Sequence, residues 1–525
     1  MLDIKECLRV NKSIKNSIIY NVYPTSFFDS NGDGVGDLNG IAQKLPYIKQ
    51  FADIVWVNPI YKSPFRDGGY DIEDYYAIDE RFGTMQDVKT LIDRAHELGL
   101  KIIFDLVVGH TSDQHKWFLE SRKHDRNEYS DYYIWNDDVF GWMPGGASIS
   151  GNSERNGNYL INFFCFQPAL NFGYSKKTLP WQHLYTDEAC CKVQEEVIKI
   201  IKHYLAMGLD GFRVDLANSI VKEDEAGKYS CEVWRKIFGK VREEYPDAIF
   251  VSEWGEPMYA VKNGDFDVDF FTHCHNDGYN CLFRKESSTN VYASEGHSFF
   301  RRDGQGETST FFDFLKMNLE AVKGKGYVSI VTGNHDLPRI SIGRDEDDLK
   351  LVFSFILALP SVPLIYYGDE IGMPYSKIKS RDGGFVRTGS RTPMQWSAGK
   401  NAGFSDTDGE LYLPINENYK TVNVETALAN PNSLINCVKE MVAVKREYAE
   451  LFSCDSEFEL ISEDYPAAFK RSAKGKTLYC AFNPTEREYK TSIPCGKVIS
   501  SMNAKIEGEK VTLAPLSYVW IVTEK

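Results

Sequence analysis

Short apolar runs alternate with amphipathic stretches from residue 18 to residue 448, and few folds accept that rhythm. The runs fall at 18–23, 54–57, 102–107, 211–214, 249–252, 266–270, 328–331 and 364–367. Between them, residues 85–98 set Val88, Leu91, Ile92, Ala95 and Leu98 on one helical face. Residues 190–207 do the same with Val193, Val197, Ile198, Ile201, Tyr204 and Leu205. Apolar residues at helical spacing predict amphipathic helix, and brief apolar runs between helices predict parallel strands. Eight strand–helix units predict an α/β protein, a (β/α)8 barrel.

One interval breaks the rhythm. Between the third run and residue 187 the chain is rich in Gly, Asn, Ser, Tyr and Trp. A structureless loop of that length is improbable in a compact domain. Residues 109–181 are therefore expected to form a small inserted domain leaning over the barrel mouth, with 1–108 and 182–448 making the barrel. A second polar stretch, 286–309, reads as loop or short helices. After a helix at 433–448, short alternating runs around Phe469, Tyr479, Val498 and Trp520 predict an antiparallel β-sandwich domain over 449–525. It carries no evident chemistry.

Composition narrows the partners. A net charge of -15 disfavours nucleic acid and anionic membrane, and suits a neutral substrate as well as simple solubility. No window approaches ~18 uninterrupted apolar residues, so no bilayer span is expected. The first twenty residues contain no apolar core of signal-peptide length. The 11 cysteines are scattered, without metal-type spacing, and read as reduced thiols of a cytoplasmic protein.

Four of the runs end in a chemical group. They are residues 105–110 (DLVVGH), 211–215 (GFRVD), 250–253 (FVSE) and 333–336 (GNHD). Chemistry in a (β/α)8 barrel sits at the carboxyl ends of its strands. Three carboxylates there, Asp215, Glu253 and Asp336, suggest glycoside cleavage by a carboxylate pair. Arg213 lies two residues before Asp215, on the same side of a strand, where a guanidinium favours the ionised acid. Glu253 stands at a strand tip beside Trp254, an apolar wall able to raise its pKa, and Glu256 is the competing carboxylate.

These stretches, together with 29–38 (DSNGDGVGDL), 67–71 (DGGYD), 167–171 (QPALN), 366–373 (YYGDEIGM) and 391–396 (RTPMQW), resemble the α-amylase family of glycoside hydrolases, in its oligo-1,6-glucosidase and α-glucosidase branch. The resemblance runs from about residue 18 to about residue 447. It implies Asp215 as nucleophile, Glu253 as general acid/base, and Asp336 as a ligand of the sugar's 2- and 3-hydroxyls, with His110 and His335 on hydroxyls of the same ring. It implies that Asp67 pairs with an arginine after the eighth strand and closes the far end of a pocket for a terminal glucose, with Tyr70 beneath that ring. Arg387 is the matching arginine, and Arg381 and Arg391 are alternatives.

Asp29, Asn31, Asp33 and Asp37, with the Val35 carbonyl, alternate oxygen donors with glycines in a pattern suited to a hard cation. The run resembles an EF-hand start but has Gly40 where the closing glutamate would stand. The family resemblance implies one structural Ca²⁺ or Mg²⁺ there, remote from catalysis, and no organic cofactor.

Three positions depart from the family. Gly109 replaces the usual Asn before the histidine, an absence expected to loosen contacts around His110. Ala169 stands where the branch has Asp. Leu216, after the nucleophile, fits neither the Val of α-1,6 enzymes nor the small residues of α-1,4 enzymes. The expected activity is an exo-acting retaining α-glucosidase on short α-1,4 or α-1,6 oligosaccharides, as monomer or homodimer. Trehalose- or isomaltulose-synthase-like transfer is the alternative. A non-catalytic binding protein is a third reading, against which all three carboxylates stand.

Overall fold

The computed structural model describes residues 11–151, 153–271, 278–286 and 295–524. Eight parallel strands close a barrel: β1 (Ile19–Val22), β2 (Ile54–Val57), β3 (Lys101–Leu106), β4 (Gly211–Val214), β5 (Ile249–Ser252), β6 (Val268–Phe270), β7 (Tyr327–Val331) and β8 (Val362–Tyr366). Neighbours follow chain order, and β8 returns to pair with β1, Leu364 opposite Ile19. Every residue of β2, β4, β5 and β8 is buried, as parallel strands covered on both faces require.

The sixth run starts two residues later than its apolar pattern predicts. Asp267 is the cause: its carboxylate accepts from the backbone N–H of Phe250 at 2.8 Å and from Arg242, so a side chain takes a ladder bond. The eighth run starts two residues earlier, because Val362 and Pro363 pair with Ser329 and Ile330.

Helices α1 (Leu38–Ile48), α2 (Met85–Glu97), α3 (Glu188–Ala206), α4 (Lys228–Arg242), α5 (Pro257–Gly264), α6 (Ser309–Val322), α7 (Glu346–Ala358) and α8 (Leu434–Glu447) follow the strands in turn. The apolar face read for α2 is buried at Val88, Leu91, Ile92 and Ala95. Reciprocal bonds between Thr84 and Asp87 fix its start, and Asp345 with Asp348 does so for α7. Of the stretch 286–309, residues 287–294 lie outside the described ones, and 295–308 form neither helix nor strand.

The insertion after β3 holds a short helix (Lys116–Ser121) and a three-stranded sheet (Trp135–Asn136, Ser148–Ser150, Asn158–Leu160) with the last strand central. Ile134, Met143, Leu160, Ala169 and Tyr174 give it a core of its own. A backbone bridge between His110 and Ala169 ties it to the exit of β3.

Beyond α8, strands β9 (Glu457–Ser462), β10 (Ala467–Ala473), β11 (Lys476–Asn483), β12 (Tyr489–Ser492), β13 (Lys497–Glu507) and β14 (Lys510–Glu524) join in one antiparallel sheet. All six belong to one hydrogen-bonded network, because the 15-residue β14 pairs with β11, β12 and β13. Alternation decides its faces. Phe469, Leu478, Phe482, Trp520 and Val522 join the barrel's core, while Ala468, Ala481, Val519 and Ile521 line a second cluster.

Arg471 of β10 ties sheet to barrel. Its guanidinium is wholly buried and donates to the carbonyls of Ala358, Leu359 and Ser453, at the end of α7 and after α8. Removing it leaves buried carbonyls without a donor. Arg471→Ala is expected to cost about 2–4 kcal/mol, read as earlier thermal unfolding; an unchanged midpoint would show that the contact is dispensable.

Candidate active site

At the carboxyl ends of the strands, three acids gather on one cation. Arg213 lies on β4 beside Asp105 of β3 and Val251 of β5. Its Nη1 donates to Asp105 at 2.5 Å and to Asp215 at 3.0 Å, and its Nη2 forms an ion pair with Glu253 at 2.6 Å. The guanidinium is buried, with the rings of Trp56 and Phe270 5.0 and 6.0 Å away. Asp215 and Glu253 each follow directly on their strands, and Val214 pairs with Ser252, so the two acids leave adjacent strands at one level. Glu256 stands instead at the N-cap position of α5, where its side chain makes no capping bond. The backbone N–H of Leu216 donates to Glu253 at 3.0 Å, from a residue held at φ +41, a costly conformation for leucine.

Sharing changes the electrostatics expected from Arg213. One positive charge faces three carboxylates, so it cannot be the private counter-ion of Asp215. Burial and then the charge of Glu253 push the Asp215 carboxyl well above the usual carboxylate range, against the pull of Arg213. Burial likewise raises Asp105 to about 6, although it accepts from Arg213, from the Trp56 indole at 2.8 Å, and from Asn58 and Tyr70 at 3.2 Å each.

The second cluster has the opposite balance. Asp336, five residues beyond β7 and partly exposed, accepts from Arg387 at 2.9 Å and from Arg391 at 3.1 Å, and lies 3.1 Å from Nε2 of His335. Burial would raise its carboxyl, but His335, Arg387, Arg391 and Arg213 together hold it well below the ordinary range. The other arm of Arg387 reaches Asp67 at 3.1 Å. Of the three candidate arginines, Arg387 bridges Asp67 and Asp336, Arg391 joins Asp336 to Tyr23, and Arg381 lies over Tyr412. Burial lifts Asp67 to about 6 despite both arginines and the side chain of Gln167, which donates to it at 2.8 Å.

Tyr70 stacks on His335 with ring centroids 5.1 Å apart, and Tyr23 lies on the same imidazole at 6.0 Å. Both histidines spend their nitrogens on protein. His335 meets Asn58 and Asp336, and His110 meets the Tyr70 carbonyl at 3.0 Å and Asn162 at 3.3 Å. Burial lowers His110 to about 4, so both of its bonds are made by a neutral ring. A sugar hydroxyl would share these nitrogens rather than find them free. Asp105, Asn58, Gln167 and Asn162 were not given roles from sequence. An acid inside an apolar strand run was a readable signal for Asp105; the others depend on where loops land.

The run 29–37 closes on itself. Asp29 accepts from the N–H groups of Asn31, Gly32 and Gly34 and from the Ser405 hydroxyl. Asp33 accepts from Asn31 and Val35, and Asp37 from Ser30 and, as the cap of α1, from Gly40. Among the described residues no group of three His, Cys, Asp or Glu is placed to hold a metal. The donor types suit a hard cation, but Asp29 would have to release N–H partners to join one.

The family described as "Alpha amylase, catalytic domain" matches residues 21–453. An oligo-1,6-glucosidase of Parageobacillus thermoglucosidasius is 32% identical over 526 residues, covering 87% of each chain. A glucan 1,6-alpha-glucosidase of Streptococcus pneumoniae is 32% identical, covering 95% of this chain and 97% of its own. The solved trehalose-6-phosphate hydrolase of Bacillus licheniformis superposes with a TM-score of 0.81 at 27% identity, over 97% of this chain and 99% of its own. No helix among the described residues is long and apolar enough to cross a membrane.

Asp105 adds its charge to those that push Asp215 upward. Asp105→Asn keeps the shape and removes that charge, so Asp215 ionises more easily. If Asp215 must be ionised to act, its titration sets the acidic limb of kcat/KM, and that limb is expected to move to lower pH. A limb that stays, or moves up, contradicts the shared-cation account.

Proposed function

The chain belongs to the alpha-amylase family of glycoside hydrolases, and from that membership we propose an exo-acting, retaining α-glucosidase that removes glucose from the non-reducing end of short α-1,4 or α-1,6 oligosaccharides. The observation that carries this reading is the bonding of Asp215 and Glu253 to adjacent nitrogens of one guanidinium. Direct attack on the sugar needs its two carboxyl groups about 5–5.5 Å apart, and inversion needs them further apart to admit water. Two acids on one Arg213 suit the first case.

Asp215 attacks the anomeric carbon and forms an ester, while Glu253 gives its proton to the departing oxygen. Glu253 then takes a proton from water as that water attacks the ester, releasing glucose with its α configuration. Three acids on one cation leave excess negative charge, which favours keeping a proton in the cluster; the reaction requires it on Glu253. Asp336, held ionised by its arginines, is placed to grip ring hydroxyls. The Arg387–Asp67 pair, backed by Gln167, is placed to shut the pocket behind a terminal glucose. A cytoplasmic setting belongs to the same proposal, supported by Cys165 and Cys495, exposed and unbridged.

The test is product analysis with maltose, isomaltose, trehalose, sucrose and maltoheptaose, following the first-formed anomer by NMR. Glucose appears first as the α-anomer, and Asp215→Asn lowers kcat by at least about 10³-fold with the fold intact. First release of β-glucose, or a nearly active Asp215→Asn, would overturn the reading. A new disaccharide in place of glucose would identify a transferase.

The loop formed by Asp29, Asn31, Asp33, Val35 and Asp37 is proposed to hold Ca²⁺ or Mg²⁺, which would cross-link the loop and take no part in bond cleavage. Ca²⁺ is then expected to raise the thermal midpoint of EDTA-treated protein, and Asp33→Ala to abolish the rise. An equal midpoint with and without Ca²⁺ removes the proposal.

A further inference from the structure

Gly109 lacks the side chain that the family carries just before the histidine, and another residue fills the space. A Cβ built on Gly109 would stand 2.7 Å from Nδ2 of Asn162. Asn162 comes from the inserted segment, two residues beyond the strand Asn158–Leu160. Its Nδ2 lies 3.3 Å from Nδ1 of His110, and its Oδ1 accepts from Lys222 Nζ at 3.0 Å and from the Ser219 hydroxyl at 3.4 Å.

The proton positions along this line follow from what each group can do. An ammonium only donates, so Lys222 fixes which end of the Asn162 amide is oxygen. The amide nitrogen then donates to Nδ1 of His110. The carbonyl of Tyr70 only accepts, so Nε2 of His110, 3.0 Å from it, carries the ring proton. Lys222 is 6% exposed and is anchored by the Ser219 carbonyl at 2.7 Å. The loop that carries Asn162 is closed as well. Asn162 N–H donates to the Gln167 carbonyl at 3.0 Å, and Phe164 N–H to the Gln167 side chain at 2.7 Å. The same Gln167 side chain donates to Asp67. One closed loop thus delivers two amides to the barrel, one on His110 and one on Asp67.

We propose that Asn162 is the positioning residue of His110, supplying from across the barrel mouth the amide that position 109 lacks. The inserted segment then sets the tautomer and tilt of that imidazole and, through its Nε2–H bond, the main chain of Tyr70. This rests on the reading of His110 and Tyr70 as groups of the sugar pocket.

A swap of the two positions tests it. Gly109 is outside the left-handed region, so Asn162 is the obstacle to a side chain there. Gly109→Asn alone collides with the amide, and Asn162→Ala alone leaves His110 and Lys222 without their partner. Each is expected to lower kcat/KM roughly ten- to hundredfold on the α-glucoside that wild type cleaves best, mainly through KM. The double variant G109N/N162A, with an amide returned on the other side, is expected within about threefold of wild type, so the two losses cancel instead of adding. Asn162→Asp keeps the acceptor for Lys222 and removes the donor to His110. It is expected to lose activity as Asn162→Ala does while keeping the wild-type thermal midpoint, which separates positioning from folding. A fully active Asn162→Ala or Asn162→Asp, or a double variant no better than Asn162→Ala, overturns the proposal. A wild-type chain that cleaves no α-glucoside would instead defeat the functional reading beneath it.

Discussion

The candidate site depends on one buried guanidinium divided among three acids. Arg213 makes ion-pair contacts of 2.5–3.0 Å with Asp105, Asp215 and Glu253, which come from or directly follow three adjacent barrel strands. Burying a cation is costly unless opposite charge lies close, and here the partners are fixed by strand register. Asp105 and Arg213 are paired residues, and the acids that follow β4 and β5 sit one step beyond another pair. A one-residue slip of β4 would turn Arg213 to the other face and leave three carboxylates without their cation. Barrel closure and the candidate chemistry are therefore one constraint.

The two halves of the site show how neighbouring charges yield opposite acidities. Asp215 shares one arginine with two other acids, and its carboxyl is raised. Asp336 has two arginines and a histidine within 3.1 Å, and its carboxyl is lowered. The difference follows the local count of cations against acids. Asp67, at the other arm of Arg387, is lifted by burial to about 6 although that arginine is bonded to it.

What could be read from sequence follows from what is periodic. The eight runs announce themselves by buried apolar side chains, and residues that end a run must face the barrel mouth, so Arg213, Asp215 and Glu253 could be placed together. Less could be read where a side chain replaces backbone, as Asp267 does in shortening β6. Arg381, Arg387 and Arg391 lie within eleven residues, and their destinations depend on the path of the loop rather than on spacing. Asp105 stands out as an acid within an apolar run, but its role depends on its partner Arg213 on the next strand. The strand order of the C-terminal sheet was hidden because β14 pairs along both edges, which alternation alone does not reveal.

The inserted segment is where local reading fails and physical reading gains most. Taken alone, Gly109 subtracts a contact from His110 and Ala169 subtracts a carboxylate. In space the two positions adjoin, since His110 and Ala169 form a backbone bridge. Ala169 is fully buried with Ile134, Met143, Leu160 and Tyr174, where an unpaired acid would be costly. Asn162 meanwhile fills the gap beside Gly109 and bonds both His110 and Lys222. The departures are thus coupled. With its apolar side packed inward, the segment turns two amides, Asn162 and Gln167, toward the barrel. A contact missing at one place in the chain is restored by a residue more than fifty positions away, because the buried imidazole needs a donor at its Nδ1 whichever segment supplies it.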